Sequence, residues 1–299
     1  MATTATAESI VHARTRRGTL SSRHRIEQIL LWAAVIIVTF IAFAPFAFAL
    51  ITSFKTQAQS IDGTLIPWVQ FQPTLFNWQQ ELQNGGKETF KALSNSAAIA
   101  AGATLLATTL GTLAGYGLAR FRYGVGNRNL VSWFLSQRFL PPIASAIPFV
   151  LLFKNLKLLD SHLGLIIANA TFVLPFAVLI MRDFFADFPP ELSDAALVDG
   201  ANQFQVFWRV ALPLAAPALV ASIIICFTFS WNEFLFASIL TSKEAKTYPL
   251  MVAGSDTVRG IMFNFVSTRL VIAVIAPVTL SLFVQRFIVR GLTFGAVKG

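Results

Sequence analysis

Long stretches without charged residues alternate with short polar segments along the chain. Four stretches are free of charge, and they lie between Glu27 and Lys55, Lys91 and Arg120, Asp160 and Arg182, and Arg209 and Glu233. Each has at least 20 residues, the length that a helix needs to cross a hydrocarbon core about 30 Å thick. Two less regular apolar stretches cover Leu130–Phe153, interrupted by Arg138, and Leu270–Gln285. The pattern predicts an all-α integral membrane protein with six transmembrane helices.

Composition excludes an ordinary soluble domain. Of the 299 residues, 55% are hydrophobic and only 12% are charged, whereas soluble proteins carry about 25% charged residues. The apolar runs do not alternate with period 2, which favours helices over a membrane β-barrel. Residues 1–25 are rich in Ala, Thr, Ser and Arg. We therefore predict a flexible basic tail over residues 1–25 and a transmembrane domain over residues 26–299.

The net charge of +9 indicates membrane topology rather than nucleic-acid binding. Basic residues concentrate in the first 25 residues, in the segments after the second and fourth spans, and after the sixth span. These segments lie on one side, because an even number of spans separates them. Since basic residues accumulate on the cytoplasmic side, both termini are predicted to lie in the cytoplasm.

The predicted spans differ in the positions of their small residues and prolines. Gly111 and Gly115, in the second span, have the spacing that lets two helices approach closely. Pro141-Pro142 and Pro148 interrupt the third span, and Pro175 the fourth. Membrane proteins tolerate such breaks where neighbouring helices or a cavity satisfy the freed backbone groups. We expect irregular helices here, as in a transport path or in ordinary kinked packing.

A polar segment over residues 183–216 separates the fourth and fifth spans. Pro189-Pro190 suits a helix start, and the carboxylate of Asp194 lies in the first turns, where it complements the helix dipole. Ala195-Ala196 presents little side chain to a partner, and Gly200 permits a left-handed helix end. The segment predicts a short, rigid helix that is braced by the fourth and fifth spans.

The same segment continues as an amphipathic helix over Asn202–Val210. Phe204, Phe207 and Trp208 are expected to lie against the membrane face, and Leu212-Pro213 to lead into the fifth span. A body that displaced the short helix would move both spans with it.

Two charged residues fall inside predicted spans, Arg138 in the third and Glu233 in the fifth. A charge at the bilayer centre costs about 2.5–3.5 kcal/mol on insertion scales, so each needs a partner or a cavity. Glu233 and Asn232 could form hydrogen bonds with a polar solute while Trp231 stacks on it; the alternative is a polar clasp between helices. Arg138 is a candidate partner for Glu233. These four residues form the candidate solute path.

Patterns for catalysis and metal binding are missing. Gly85-Gly86-Lys87 is followed by Glu88 and lacks the upstream glycine of a phosphate-binding loop. Three scattered histidines and the single Cys226 form no metal-ligand pattern. We predict no catalytic residue, no metal and no cofactor on this chain.

Three motifs resemble one family. Asp194-Ala195-Ala196, three residues, Gly200, nine residues, Val210, one residue and Leu212-Pro213 reproduce the spacing of the "EAA" signature, with Asp for Glu and Val for Ile. Trp231-Asn232-Glu233-Phe234-Leu235 is similar to the "WNEF" run of sugar permeases, and the ending Gly291–Gly299 to their "GLTxGxVKG" tail. Over residues 26–299 the chain resembles a permease subunit of maltose-type carbohydrate ABC importers.

The resemblance implies a coupling helix that sits in a cleft of a cytoplasmic ATPase subunit. The residues implied in that contact are Asp194, Ala195, Ala196, Asp199, Gly200, Ala201, Leu212 and Pro213. The tail residues Val297, Lys298 and Gly299 are implied to enter the interface between two ATPase subunits. The implied assembly has a second permease (a different chain), two ATPase subunits that bind ATP and Mg²⁺, and an extracytoplasmic solute-binding protein. The implied cargo is a sugar, oligosaccharide or polyol, whose hydroxyls Glu233 and Asn232 could bind while Trp231 stacks on a sugar ring. The implied location is the inner membrane of a bacterial cell.

Three alternatives remain open. The same machine could carry another solute, such as glycerol phosphate. A secondary carrier driven by an ion gradient would be expected to show inverted repeats and ion-binding charges at mid-membrane, and only Arg138 and Glu233 qualify. A membrane enzyme would require a catalytic constellation.

Overall fold

The computed structural model describes residues 5–254, 256–257 and 260–295, and these residues are mostly helical. In chain order the helices are α1 (Ala5–Ser53), α2 (Gln57–Ile61), α3 (Phe76–Gln79), α4 (Gly86–Arg120), α5 (Asn127–Gln137), α6 (Ala146–Asn155), α7 (His162–Asp187), α8 (Pro190–Val198), α9 (Gln203–Val206), α10 (Leu212–Leu214), α11 (Ala216–Trp231), α12 (Leu235–Leu240), α13 (Tyr248–Ala253) and α14 (Phe263–Gly295). The minor elements are π-helical turns at Gln80–Asn84 and Phe207–Ala211, a 3₁₀ turn at Pro142–Ser145, and an antiparallel pair of two-residue strands, β1 (Asp256–Thr257) and β2 (Gly260–Ile261).

Four helical segments are long and apolar enough to cross a membrane, and two bent pairs raise the number to six if each pair forms one span. The four are His24–Ser53, Gly86–Arg120, His162–Asp187 and Phe263–Phe283. Each of these segments and pairs overlaps one of the six apolar stretches of the sequence. The prediction of an all-α membrane protein is therefore confirmed.

The third and fifth spans are broken rather than continuous. α5 meets the segment Pro142–Asn155 at 91°, and the segment Gln203–Leu214 meets α11 at 74°. Prolines lie at both breaks, where they remove backbone donors. The irregular third helix was expected. The fifth span is shorter than predicted, because α11 ends at Trp231, so Glu233 lies beyond its end rather than inside it.

The centre of the fold is the close packing of α4 against α7. A Cβ added at Gly115 would lie 2.8 Å from the backbone nitrogen of Arg182 and 2.9 Å from the Cβ of Met181, and one added at Gly111 would collide with Ala177. Only glycine fits at such separations. The predicted close approach at the Gly111 and Gly115 pair is confirmed, and it makes α4 and α7 a tightly packed pair.

The other spans surround this pair. α11 packs on both α4 and α7, with Cys226 buried among Ala107, Val173 and Ala177. α14 packs on α11 and on α1. α1 is peripheral, because none of the most apolar window of its span is buried within the described chain.

A polar network ties the loops together at the end of the bundle opposite α8. The Asp160 carboxylate accepts hydrogen bonds from the backbone N–H groups of residues 242–245 and from the Ser242 hydroxyl, at 3.0–3.2 Å. Burial alone would raise the pKa of this carboxyl, but the hydrogen bonds outweigh it and hold the pKa below its usual range. Nearby, the buried Glu81 pairs with Arg269 of α14 at 2.6 Å. This end of the bundle is therefore extensively cross-linked.

Two predictions fall partly or wholly outside what the structure describes. The tail residues Val297, Lys298 and Gly299 lie outside the described residues. α1 includes Ala5 and the residues that follow it, within the stretch predicted to be a flexible tail. The flexibility of residues 1–25 and the domain division at residue 26 remain predictions.

Candidate coupling segment and membrane cavity

α8 forms a short exposed helix directly after the fourth span. Pro190 occupies its first turn, as predicted, and Glu191 follows there. Asp194 and Ala195 are exposed, and so are the apolar side chains of Leu192 (46%) and Val198 (88%). An exposed carboxylate next to bare backbone and two exposed aliphatic side chains is a surface suited to contact with another protein.

The end of α8 is fixed by backbone geometry. Gly200 has φ +88°, the left-handed conformation predicted for it. The Gly200 N–H donates to the Leu197 carbonyl and the Ala201 N–H to the Ala196 carbonyl, both at 3.0 Å. These two bonds form a Schellman motif, which satisfies carbonyl groups that would otherwise be free at the helix end. Asp199 is the C-cap residue and is exposed.

The chain then starts a second helix at once. Asn202 and Gln205 form a reciprocal capping box at 2.9 Å, which defines the start of α9. The helix widens into the π turn Phe207–Ala211, passes through Leu212 and Pro213 in α10, and turns sharply before α11. The motif residues Leu212 and Pro213 therefore lie at the bend, away from the exposed surface of α8.

Phe207 anchors this segment inside the bundle, which corrects the expectation that it lies against the membrane face. Its side chain is 4% exposed, and its ring centroid lies 4.9 Å from that of Tyr116 and 6.4 Å from that of Phe185. Phe204 (68%) and Trp208 (50%) are exposed, as expected. The amphipathic pattern did not show which of the three aromatic residues points inward, because the π turn shifts the helical phase at this position.

Arg120 provides a second link to the segment. Its guanidinium donates to the Phe188 carbonyl at 3.0 Å and lies over the Phe188 ring, 5.0 Å from its centroid. The C-terminal end of α4 is thereby tied to the residues immediately before α8.

A cavity of about 350 Å³ lies between the broken third span, α7 and the end of α11. Both membrane charges predicted from the sequence, Arg138 and Glu233, line it. The Arg138 guanidinium carbon lies 3.4 Å from the centroid of the Phe176 ring. Within the described part of the chain Arg138 and Glu233 form no ion pair with each other, so their suggested pairing is wrong in this structure.

Glu233 stabilises the break after α11. Its carboxylate accepts hydrogen bonds from the N–H groups of Phe236 (2.8 Å) and Ala237 (3.2 Å) in α12. The carboxylate therefore caps the first turn of α12, the helix that follows it, and forms no clasp to another span within the described chain. This contact joins the end of α11 to the start of α12 beside the cavity.

Trp231 and Asn232, the other two candidates for the solute path, do not line the cavity. Trp231 is 4% exposed and donates from its indole nitrogen to the Ala273 carbonyl at 3.1 Å, so it packs on α14 and does not line the cavity. The Asn232 side chain donates to the Thr228 carbonyl at 2.8 Å and is also outside the lining. Stacking of Trp231 on a solute ring is therefore not compatible with this arrangement.

Asn169 was not among the residues predicted from the sequence. This α7 residue is 3% exposed and lines the cavity, and its amide donates to the Ser230 hydroxyl at 3.0 Å, while its Oδ1 has no hydrogen-bond partner among the described residues. The Ser230 hydroxyl can both donate and accept a hydrogen bond, so it can pair with either the nitrogen or the oxygen of the Asn169 amide. In both orientations the other polar atom of the amide is left without a partner among the described residues. An asparagine within a charge-free membrane span was the signal that pointed to it.

Among the described residues no group of His, Cys, Asp and Glu has the arrangement of a metal site.

The candidate site has two parts, an exposed coupling segment and a membrane cavity. The helix α7 connects these two parts.

A comparison with protein families identifies the chain's relatives. Residues 87–294, more than half of the chain, match the family described as "Binding-protein-dependent transport system inner membrane component". The chain belongs to this family. It is therefore a multi-pass inner membrane component of a transport system, as the motifs and spans predicted.

Two curated members of this family are similar over nearly their whole length. The trehalose transport system permease protein SugB of Mycobacterium tuberculosis is 36% identical over 251 residues, which cover 83% of this chain and 89% of that protein. The trehalose/maltose transport system permease protein MalG of Thermococcus litoralis is 30% identical over 277 residues, covering 92% and 98%.

The fold of this family member is also similar to that of a solved transporter. A chain of a bacterial ABC transporter involved in the import of the acidic polysaccharide alginate superimposes with a TM-score of 0.71 at 23% identity, covering 88% of this chain and 96% of that one. At this level of identity the similarity concerns the fold alone. The predicted membership in the permease family is confirmed.

Proposed function

We propose that this chain is a membrane-spanning subunit of an ATP-driven importer for a sugar, oligosaccharide or polyol. The observation that carries the proposal is α8, an exposed rigid helix ended by a left-handed glycine and held in the bundle through Phe207. Such a helix transmits the movement of a bound partner to the spans on either side of it.

The solute class is supported by the names of relatives. SugB and MalG are named for trehalose and for trehalose and maltose. AraQ of Bacillus subtilis, named for arabinooligosaccharides, is 33% identical over 220 residues. UgpE of Yersinia enterocolitica, named for sn-glycerol-3-phosphate, is 31% identical over 247 residues and supports the alternative solute.

In the proposed topology both termini and α8 lie in the cytoplasm, in accord with the distribution of basic residues. Two cytoplasmic ATPase subunits bind ATP and Mg²⁺, a second permease completes the membrane part, and an extracytoplasmic protein delivers the solute. A solved alginate importer in complex with a pentasaccharide-bound periplasmic protein has a chain of similar fold, with a TM-score of 0.63. This chain itself takes no part in nucleotide chemistry.

The coupling contact is proposed to involve the exposed surface of α8. The Asp194 carboxylate pairs with a basic residue of the ATPase, while Ala195 and Ala196 allow the helix backbone to approach the cleft. Asp199, Gly200 and Ala201 form the rigid end of the helix. Leu212 and Pro213 act differently: they maintain the 74° bend through which movement reaches α11. Val297, Lys298 and Gly299 are proposed to contact the ATPase pair.

The cavity is proposed to belong to the solute path. Arg138, Asn169 and Glu233 offer polar groups beside phenylalanine rings, and a volume of about 350 Å³ is within the range of small-molecule sites. The formal charges of Arg138 and Glu233 cancel, which suits a neutral polyhydroxyl solute better than an anion. Asn232 and Trp231 support the cavity indirectly through the end of α11.

The test is uptake by the complete complex in proteoliposomes, with its binding protein and a panel of trehalose, maltose and sn-glycerol 3-phosphate. ATP-dependent uptake of a neutral sugar is expected. Asp194→Lys should weaken ATPase association and uptake without affecting membrane insertion. The matched control is Glu88→Lys, the same charge reversal at an exposed position at the opposite end of the bundle. Uptake at full rate without the ATPase would refute the proposal.

A further inference from the structure

The loop between α2 and α3 carries an unusual apolar surface. No charged residue occurs between Asp62 and Glu81. Five apolar side chains at and after the end of α2 are 49–79% exposed, namely Ile61, Leu65, Ile66, Trp68 and Val69. An exposed apolar patch of this kind marks a surface that contacts either another protein or a membrane.

The loop folds back along the last turns of α1. Phe71 is 5% exposed, and the buried Lys55 ammonium lies 5.0 Å from the Phe71 ring centroid and 5.9 Å from that of Phe48 in α1. Lys55 also donates to the Thr64 carbonyl. Since Phe48 lies five residues before the end of α1, about 7 Å along the helix axis, the loop returns toward the hydrocarbon region instead of rising away from it.

The loop and α1 enclose an apolar cavity of about 390 Å³. Leu50, Ile51 and Phe54 line its α1 side, and Pro67, Trp68 and Phe71 line the loop side. Trp68 has φ +60°, a rare conformation for a residue with a side chain, and its side chain is 75% exposed. The turn thus holds an indole outward beside the mouth of the cavity.

We propose that this loop, residues 61–75, inserts into the membrane interface as a lipid anchor for the end of α1. The choice of lipid over a protein partner rests on two observations. The apolar patch is continuous with the exposed apolar surface of α1, where Phe46 is 52% and Leu50 45% exposed. From Gly63 onward the loop also carries no charge that would specify a protein partner, and it places a tryptophan where indoles favour the headgroup region.

The anchor compensates for the peripheral position of α1. This helix packs on α14, and none of its most apolar window is buried within the described chain. An anchored loop fixes the helix against the bilayer surface. In the proposed topology this is the outer leaflet, but the anchor itself depends on neither sidedness nor solute.

The test places an environment-sensitive fluorophore, the NBD group, on Val69→Cys in a Cys226→Ala background, in the complete complex reconstituted in phospholipid nanodiscs. The matched control is Lys243→Cys, an exposed position in a polar loop at the same end of the bundle. Both faces of a nanodisc are open to water, so the result is independent of the proposed transport function and topology.

The Val69 label should show blue-shifted emission, strong quenching by lipids with a shallow nitroxide, and several-fold weaker quenching by aqueous iodide than the Lys243 label. The Trp68→Ser variant should shift the Val69 label toward water. Equal iodide quenching at both positions would overturn the proposal. So would shielding of the Val69 label that disappears when the second permease or the binding protein is removed, because the loop would then be a protein interface.

Discussion

Replacing Gly200 by alanine tests whether the geometry of the α8 end matters for coupling. Gly200 has φ +88°, and a Cβ added there would meet no atom within 4 Å. An alanine at this position would therefore meet no steric crowding from the described residues. The whole free-energy cost of the substitution would come from the backbone conformation. A residue with a Cβ pays about 1–2 kcal/mol in the left-handed region.

That cost translates into a measurable loss of partner binding. If the ATPase recognises α8 with its Schellman end intact, the variant must regain the strained conformation each time it binds. A cost of 1–2 kcal/mol corresponds to a factor of about 5–30 in an equilibrium constant. We expect Gly200→Ala to weaken association with the ATPase by roughly this factor, while Gly200→Asn, which tolerates the conformation, retains most of the affinity.

The chain offers a matched control in Gly63. This residue also has positive φ, +66°, and a Cβ added there would likewise meet nothing within 4 Å, but it lies at the opposite end of the bundle. The assay is titration of the purified ATPase onto permease complexes in nanodiscs, followed by the coupling ratio of uptake to ATP hydrolysis. Equal affinities for Gly200→Ala and the unmodified complex would refute the reasoning, and so would an equal loss for Gly63→Ala.

Two further substitutions probe the bundle itself. Gly115→Ala should lower the thermal stability of the detergent-solubilised protein, since the new Cβ would lie 2.8 Å from the backbone nitrogen of Arg182 and 2.9 Å from the Cβ of Met181. The control is Gly86→Ala, which should have little effect because its Cβ would meet no described atom within 4 Å. Asp160→Ala should cost roughly 1–2 kcal/mol after allowance for solvent screening. Because the folded-state pKa of Asp160 lies below its unfolded value, this contribution is present above about pH 4 and is lost as pH falls through the folded pKa. Melting curves from pH 8 to 3 should therefore separate the two proteins at neutral pH, and the separation should narrow as the pH falls below about 4; a constant separation would contradict the assignment.

The membrane fold was predictable because few backbone structures can satisfy their hydrogen bonds within lipid. A stretch of at least 20 uncharged residues must satisfy its backbone internally, and a helix does so. The positive φ of Gly200 and the close packing at Gly111 and Gly115 were also foreseeable, because in each case the absence of a side chain is itself the signal.

The burial of Phe207 and the contact of Trp231 with α14 were not predictable. They depend on the direction in which each side chain points around its helix, which composition does not determine. The π turn rotates Phe207 into contact with Tyr116, and the end of α11 at Trp231 puts that side chain on α14. Arg138 and Glu233 were predicted as charges inside spans, and both line the cavity. Their partners, a phenylalanine ring and two backbone N–H groups, belong to contacts that sequence spacing does not encode.

The physical link between the two parts of the site is α7. Phe176 lines the cavity, and Phe185 packs against the aromatic residues that hold the coupling segment. The two lie nine residues apart on one helix, a distance of about 13 Å along its axis. Gly111 and Gly115 pack this stretch closely against α4, and the third and fifth spans bend by 91° and 74° beside prolines. A displacement of α8 is therefore expected to move α7 and α4 as one body past the broken spans, and the cavity is expected to change shape because the broken third span forms one of its walls.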